Sequence, residues 1–180
     1  LGSTGPGHGL GAQHTMNAQQ VVIVGAGPVG LVLAMRLGHM GIRCLVLESA
    51  PQLERTLRAS TFHPPTLDML DAHGITSELI DAGLIAPTWQ IRMHATGEFA
   101  EFDLSVLKGE TAHPYRLQCE QWKLSELLLA HIHAYLPHVQ IAWASSLLNF
   151  SQNDSLVTVQ YQASNGSLCS TQAHFLVGAD

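Results

Sequence analysis

Gly25, Gly27 and Gly30 stand in the spacing G-x-G-x-x-G, and Glu48 follows eighteen residues beyond the last of them. A glycine at the first position lets the chain turn sharply out of a strand. At the second, the missing Cβ lets backbone approach a pyrophosphate, and at the third it lets a helix and a strand pack closely. Pro28 at a first helical turn gives up no N–H that the helix needs. The N–H groups that open a helix carry partial positive charge, which suits a diphosphate. The Glu48 carboxylate can accept hydrogen bonds from ribose hydroxyls and would repel a 2′-phosphate. This is the chemistry of holding a dinucleotide, and the motif serves FAD and NAD alike.

The elements that must position these residues are legible on either side of them. Val21–Val24 is a short β-branched run, a buried strand. Residues 28–39 have helical composition and Gly41 closes them. Residues 43–47 make a second apolar strand with Glu48 at its end. Strand, glycine turn, helix, strand and acid together make a dinucleotide-binding βαβ unit.

Beyond Glu48 the layout departs from that of an ordinary NAD domain, which would add a helix and a third parallel strand at once. Residues 51–65 hold Pro51, Pro64 and Pro65, with Arg55 and Arg58 between. Short helices are expected at 66–73 and 76–82, ended by Gly74 and Gly83, with Thr76 as N-cap of the second. In residues 89–105, Trp89, Ile91 and Met93 alternate with Gln90, Arg92 and His94 before a turn at Thr96-Gly97-Glu98. That is a β-hairpin inserted into an α/β layout. Residues 121–136 form an amphipathic helix with Leu124, Leu127, Leu128, His131, Ile132, Tyr135 and Leu136 on one face, ended by Pro137. A third parallel strand is expected at 139–143. An alternating strand at 156–162 turns at Asn165-Gly166 and returns over 168–177, an antiparallel β-meander. The fold class is α/β, a Rossmann-like domain. Its expected division is a leader at 1–15 with Met16 as the native start, then residues 16–180, with 84–115 a β insertion contributing to a substrate domain. The chain stops on Phe175-Leu176-Val177-Gly178-Ala179-Asp180, a strand reaching a turn, so the domain reads as incomplete at its C-terminus.

Composition bounds the partners. The chain is 46% hydrophobic and 12% charged with a net charge of −6, enough for one well-buried domain. It has no run of Lys or Arg, which argues against nucleic acid and anionic membrane as partners. Cys44, Cys119 and Cys169 are widely spaced and suit a reducing cytoplasm. The most apolar stretch is broken by Gly25, Gly27, Pro28 and Gly30, so no membrane span is expected.

Four segments, in order, resemble one known family, the FAD-dependent aromatic-ring hydroxylases of the para-hydroxybenzoate hydroxylase type. They are Gly25-Ala26-Gly27-Pro28-Val29-Gly30 with Glu48; Arg58-Ala59 leading to Phe62-His63-Pro64-Pro65-Thr66-Leu67-Asp68-Met69-Leu70; Leu117 to Leu124 around Gln121; and Val177-Gly178-Ala179-Asp180. The resemblance covers residues 19–180 and implies roles. Gly25, Gly27, Pro28 and Val29 would lie against the FAD pyrophosphate, with Gly30 completing the turn. Glu48 would hold the adenosine ribose, and Arg58 would reach the pyrophosphate or ribityl side. Gln121 would contact the flavin chain, with Gln118 as fallback, and Asp180 would open a segment shared by FAD and pyridine nucleotide. The implied activity is NADH- or NADPH-driven hydroxylation of an aromatic or similar small apolar substrate by O₂, through a flavin hydroperoxide. The alternatives are a halogenase or reductase on the same scaffold, or a non-catalytic nucleotide-binding module. The chain as given is expected not to turn over by itself.

The remaining residues invite less. His131 and His133 lie two apart on a helix, hence on different faces, and no Cys or carboxylate completes a metal site. His63 reads as a helix-start histidine. Arg58 could be a solvated loop arginine and Gln121 a helix cap. Trp89, Trp122 and Trp143 are expected in the core, and Asp68 and Asp71 on a solvated helix face. There is no G-x-S-x-G and no Walker lysine, as befits chemistry carried by a cofactor.

Overall fold

The computed structural model describes residues 19–180. The expected leader at 1–15 and start at Met16 lie outside the described residues. In chain order the elements are β1 (Val21–Val24), α1 (Pro28–His39), β2 (Cys44–Leu47), β3 (Thr61–Phe62), α2 (Pro64–Asp71), α3 (Ile75–Asp81), β4 (Leu84–Ala86), β5 (Thr88–Arg92), β6 (Phe99–Asp103), a 3₁₀ turn (Leu104–Leu107), β7 (Arg116–Gln118), α4 (Gln121–Tyr135), β8 (Val139–Ala142), β9 (Ser146–Gln152), β10 (Val157–Gln162), β11 (Leu168–Ala173) and β12 (Phe175–Gly178).

Four strands form a parallel sheet in the order β12-β1-β2-β8. Val21 pairs with Cys44 on one side and Phe175 on the other, and Cys44 pairs with Val139. Extended backbone sends successive side chains to opposite faces, and β1 and β2 show how that builds two cores. Val21, Ile23, Cys44 and Val46 pack against Leu31, Ala34 and Met35 of α1 and Leu124, Leu128 and Ile132 of α4. Val22, Leu45 and Leu47 face the other way, onto Val157, Val159, Tyr161 and Ala173 of the meander. Strands covered on both faces read as continuous apolar runs, which is why β1 and β2 stand out in the sequence. Each fully buried Val, Leu or Ile contributes roughly 1.5–3 kcal/mol.

The expected βαβ unit, hairpin and third parallel strand all form, and the differences elsewhere have local causes. The first short helix begins earlier than expected, at Pro64, because prolines fit a first turn where no N–H is needed. Thr76 caps nothing. It lies buried inside α3 and its hydroxyl donates to the Leu67 carbonyl at 2.6 Å, tying α3 to α2. Gly74, with φ +74°, takes the N-cap position and ends α2 and opens α3 in one turn. In α4, Leu124, Leu128 and Ile132 are buried, while Tyr135 is 68% exposed. The buried stripe recurs every fourth residue and has rotated past Tyr135 by the helix end. The returning segment at 168–177 divides in two. β11 runs antiparallel to β10 as far as Ala173, the N–H groups of His174 and Phe175 then both donate to the Gln20 carbonyl, and β12 joins β1 instead.

β9 pairs with β10 and completes the meander, but most of it is exposed and its sequence lacks alternation. The order β3-β7-β4 is a further small antiparallel sheet whose strands are only two or three residues long. Of the tryptophans expected in the core, Trp143 packs against its edge, whereas Trp89 and Trp122 belong to neither core cluster. Trp89 sits in the hairpin, stacked on Phe102 at 4.3 Å, and all three rings are only partly buried. Among the described residues no helix is long and apolar enough to cross a membrane.

Candidate functional site

The carboxyl ends of β1 and β2 open onto a cleft of about 700 Å³. Gly25 makes the turn that forms its floor. Its φ is +105°, and a Cβ there would lie 2.7 Å from the Ala179 carbonyl oxygen. Its N–H donates to the Leu47 carbonyl at 2.8 Å, and the Ala179 N–H donates to Val24 at 2.8 Å, which ties the turn to both neighbouring strands. A Cβ on Gly30 would lie 2.0 Å from the Gly25 carbonyl oxygen, so α1 can leave the turn at this angle only from a glycine. Gly27 is the reverse case: a Cβ there would meet nothing within 4 Å. The backbone at that position faces open space, with Pro28 opening α1 and no acidic residue in the first helical turn.

Glu48, leaving β2, braces this turn. Its Oε2 accepts the Ala26 N–H at 2.8 Å, and its Oε1 accepts the Ala50 N–H at 2.8 Å. The Glu48 backbone is held as well, donating to Ala142 and accepting from Ser145 at 2.7 Å. The end of β8 thereby forms the next wall. Ala144 has a left-handed φ of +48° and its N–H donates to Ala50, an arrangement that places Trp143 and Ser145 on the cleft.

Of the residues singled out in the sequence, Gly25, Gly27, Pro28, Val29, Glu48, Arg58, Gln121 and Asp180 all line this cleft, and Gly30 lies buried behind them. Arg58 reaches it from the loop before β3, where its guanidinium pairs with Glu54 at 3.3 Å. That pair is exposed, and such pairs are worth roughly 0–1 kcal/mol, so the guanidinium can turn to a stronger anion at little cost. Gln121 opens α4, its N–H donating to the Ala59 carbonyl. Gln118, the fallback, is not on the cleft, and its side chain accepts from the Thr61 hydroxyl at 3.1 Å. His63 precedes α2, exposed and away from the cleft. Asp68 is not simply solvated: it accepts from Nδ1 of the buried His113 at 2.7 Å, which lowers its pKa. Burial pushes the Cys44 thiol up to about 11, so it is no nucleophile.

Sequence reasoning missed the walls. Trp122 follows Gln121 directly, and Arg55 lies over its ring at 5.2 Å while holding Glu126 at 2.7 Å. Trp143, Ser145 and Ser146 follow the end of a parallel strand beside β2, a position that itself marks a ligand edge in such sheets. A larger cleft of about 830 Å³ lies between β12 and the meander, but it contains no part of the glycine turn. The chemistry belongs to the smaller one. Its open backbone at Gly27, the helix start behind it and the carboxylate at the second strand fit the diphosphate and ribose of FAD.

The comparisons point to the same cofactor. Residues 18–180 match the family described as FAD binding domain. Over 161 residues the chain is 35% identical to para-nitrophenol 4-monooxygenase of Pseudomonas sp. (strain WBC-3), covering 89% of this chain and 39% of that protein. The crystal structure of p-nitrophenol 4-monooxygenase PnpA from Pseudomonas putida DLL-E4 superposes with TM-score 0.83 at 34% identity, covering 91% of this chain and 41% of that one. Aklavinone-11 hydroxylase in ternary complex with FAD and aklavinone follows with TM-score 0.74 at 32% identity, over 92% of this chain and 34% of that one. This chain therefore spans about two fifths of the length of these p-nitrophenol monooxygenases. With the glycine turn, the braced acid and this match over nearly its whole length, the chain belongs to the FAD binding domain family.

Proposed function

We propose that the chain is the FAD-holding part of an NADH- or NADPH-dependent monooxygenase that uses O₂ to hydroxylate an aromatic or similar small apolar substrate. The observation that carries this is the cleft at the ends of β1 and β2, in a chain 35% identical to para-nitrophenol 4-monooxygenase. FAD, when bound, supplies the redox chemistry; the protein's residues bind and orient it. The backbone of Gly25, Gly27, Pro28 and Val29 lies against the pyrophosphate at the start of α1. Glu48 holds the adenosine ribose with oxygen lone pairs not used by the Ala26 and Ala50 N–H groups. Arg58 leaves Glu54 for the pyrophosphate or ribityl side. Gln121 contacts the flavin chain and Asp180 opens the segment beside it. Residues 84–115, with the β5–β6 hairpin, contribute to the substrate domain, and the remainder of a longer protein encloses the substrate. The 180-residue chain alone is therefore inactive. The partners are small molecules rather than nucleic acid or membrane, and the three free cysteines fit a cytoplasmic protein.

The test is made on the full-length protein. Bound FAD should give a flavin absorbance spectrum, with affinity above that for FMN, which lacks the adenosine that Glu48 recognises. NAD(P)H oxidation should rise with a phenol or aromatic acid and yield hydroxylated product. Equal affinity for FAD and FMN would overturn the cleft assignment, and flavin-bound protein that forms no hydroxylated product over a broad aromatic panel would overturn the activity.

A further inference from the structure

Three histidines from three different elements meet on the helical side of the molecule, away from the cleft. His39 is the last residue of α1, His73 lies in the turn between α2 and α3, and His131 is on α4. The Nε2 atoms of His39 and His131 are 2.9 Å apart. The ring of His73 stacks on that of His39 at 4.6 Å and 19°. Such a nitrogen–nitrogen contact is a hydrogen bond only when one ring donates and the other has a bare lone pair. It accommodates the pair neutral, or with a single shared positive charge that a helix C-terminus tolerates well. With both rings protonated, the contact becomes donor against donor, and a protonated His73 would place a further cation flat against His39.

We propose that His39, His73 and His131 form an acid-sensitive latch, which clamps the C-terminal end of α1 to α4 and to the α2–α3 turn near neutral pH and loosens as further imidazoles take protons.

The surrounding charges support this direction. From α1, Arg36 adds positive charge near His73, and from α3, Glu78 is the acid that faces His131. On α4, the Tyr135 ring tilts against His131 at 4.9 Å. After α4, His138 donates to the Gly38 carbonyl at 2.8 Å, next to His39 on α1. Burial, His39, Arg36 and His131 lower the pKa of His73, and burial and His39 lower that of His131 against the opposing pull of Glu78. The sign follows from linkage. The folded chain takes up these protons less readily than the unfolded chain, whose histidines titrate at about 6.5. The latch's contribution is thus complete above pH of about 6.5 and is lost as pH falls from there through the lowered folded values.

The test measures the thermal midpoint of the full-length protein at pH 7.5 and 5.5, with and without EDTA, for wild type and for His131→Gln. Glutamine can still hydrogen-bond to His39 but cannot be protonated. The wild-type midpoint should fall further than that of the variant, by about 3 °C or more. Equal falls in the two proteins would overturn the latch. So would a difference that disappears in EDTA, because the histidines would then be answering to a metal ion rather than to protons. Should the variant not fold, NMR titration of the imidazoles in the wild-type protein decides: midpoints for His73 and His131 below those of free histidine support the latch, and midpoints at or above them refute it.

Discussion

The parallel sheet and the β5–β6 hairpin are both built on short strands of four or five residues, yet they are held in opposite ways. In β1 and β2 both faces are covered, by helices on one side and the meander on the other. In the hairpin, Ile91, Met93, Phe99 and Phe102 are exposed. Its shape comes from its own ladder and from a turn closed by Met93 N–H to the Glu98 carbonyl and Gly97 N–H to the Met93 carbonyl. Two-stranded hairpins of this kind are marginal alone. The difference separates a region whose geometry is fixed by its own packing, and is ready for a ligand, from one whose apolar surface has no cover among the described residues.

Glycines offer the sharpest way to break that comparison. Gly30→Val places side-chain carbon where the Gly25 carbonyl oxygen already stands, and backbone on both sides leaves nowhere to move. Overpacking typically costs about 1–3 kcal/mol, and a clash with fixed backbone lies at or above the top of that range. Gly30→Val should lose flavin binding and at least about 3 kcal/mol in urea unfolding. Gly97→Ala meets nothing within 4 Å, and its only penalty is the left-handed φ of +74°. The cost is about 1–2 kcal/mol, felt in the hairpin and not in the sheet. If the two substitutions proved equally damaging, the contrast between the regions would be wrong.

Glu48→Ala ranks next. Two backbone N–H groups lose their acceptor, and the ribose would lose its proposed partner, yet no core side chain is disturbed because Glu48 stands at the end of β2. FAD affinity should fall ten- to a hundredfold, about 1.5–3 kcal/mol. Circular dichroism of the apoprotein should be unchanged, while amide exchange at Ala26 quickens. An unaltered dissociation constant would mean that the ribose lies elsewhere.

Arg58→Ala should show a smaller effect, and only in binding. Its tie to Glu54 is an exposed ion pair, so unfolding should move by less than about 0.5 kcal/mol. A charge-assisted contact to phosphate would make the loss of FAD affinity about tenfold. Loss of stability without loss of affinity would return Arg58 to the role of a loop arginine.

What the sequence disclosed follows the same division. The βαβ unit was legible because every level agreed there: β-branched runs, glycine spacing, a proline at the helix start and an acid at the second strand. The cleft residues on those elements came with it. Thr76 misled because a hydroxyl before an apolar run suits a cap, whereas Gly74 could turn the chain two residues earlier and free Thr76 to reach Leu67. β3, β4 and β7 were invisible because two or three residues carry no period. Trp143 and Asp68 acquire their roles from partners distant in sequence: the β2 exit for the one, and His113 for the other. No local pattern encodes such pairings.

The smallest expected effect tests the hairpin itself. Trp89 and Phe102 are directly opposite across the ladder and stack at 4.3 Å and 13°, with the Arg116 guanidinium 5.7 Å from the Trp89 ring. Aromatic pairs of this kind are worth about 0.5–1.5 kcal/mol beyond their area. Trp89→Ala removes that, and it strips the ring beside Arg116, whose Nε is buried without a hydrogen-bond partner among the described residues. Neither ring of the pair belongs to the packed core on either side of the parallel sheet. Amide exchange should therefore accelerate across residues 88–103 while the amides of β1 and β2 keep their protection, and global unfolding should move by less than about 0.5 kcal/mol. A fall in global stability of more than about 2 kcal/mol, a size associated with loss of core packing, would show that hairpin and sheet unfold as one unit. The hairpin would then be part of the dinucleotide-holding body rather than a separately shaped arm of it.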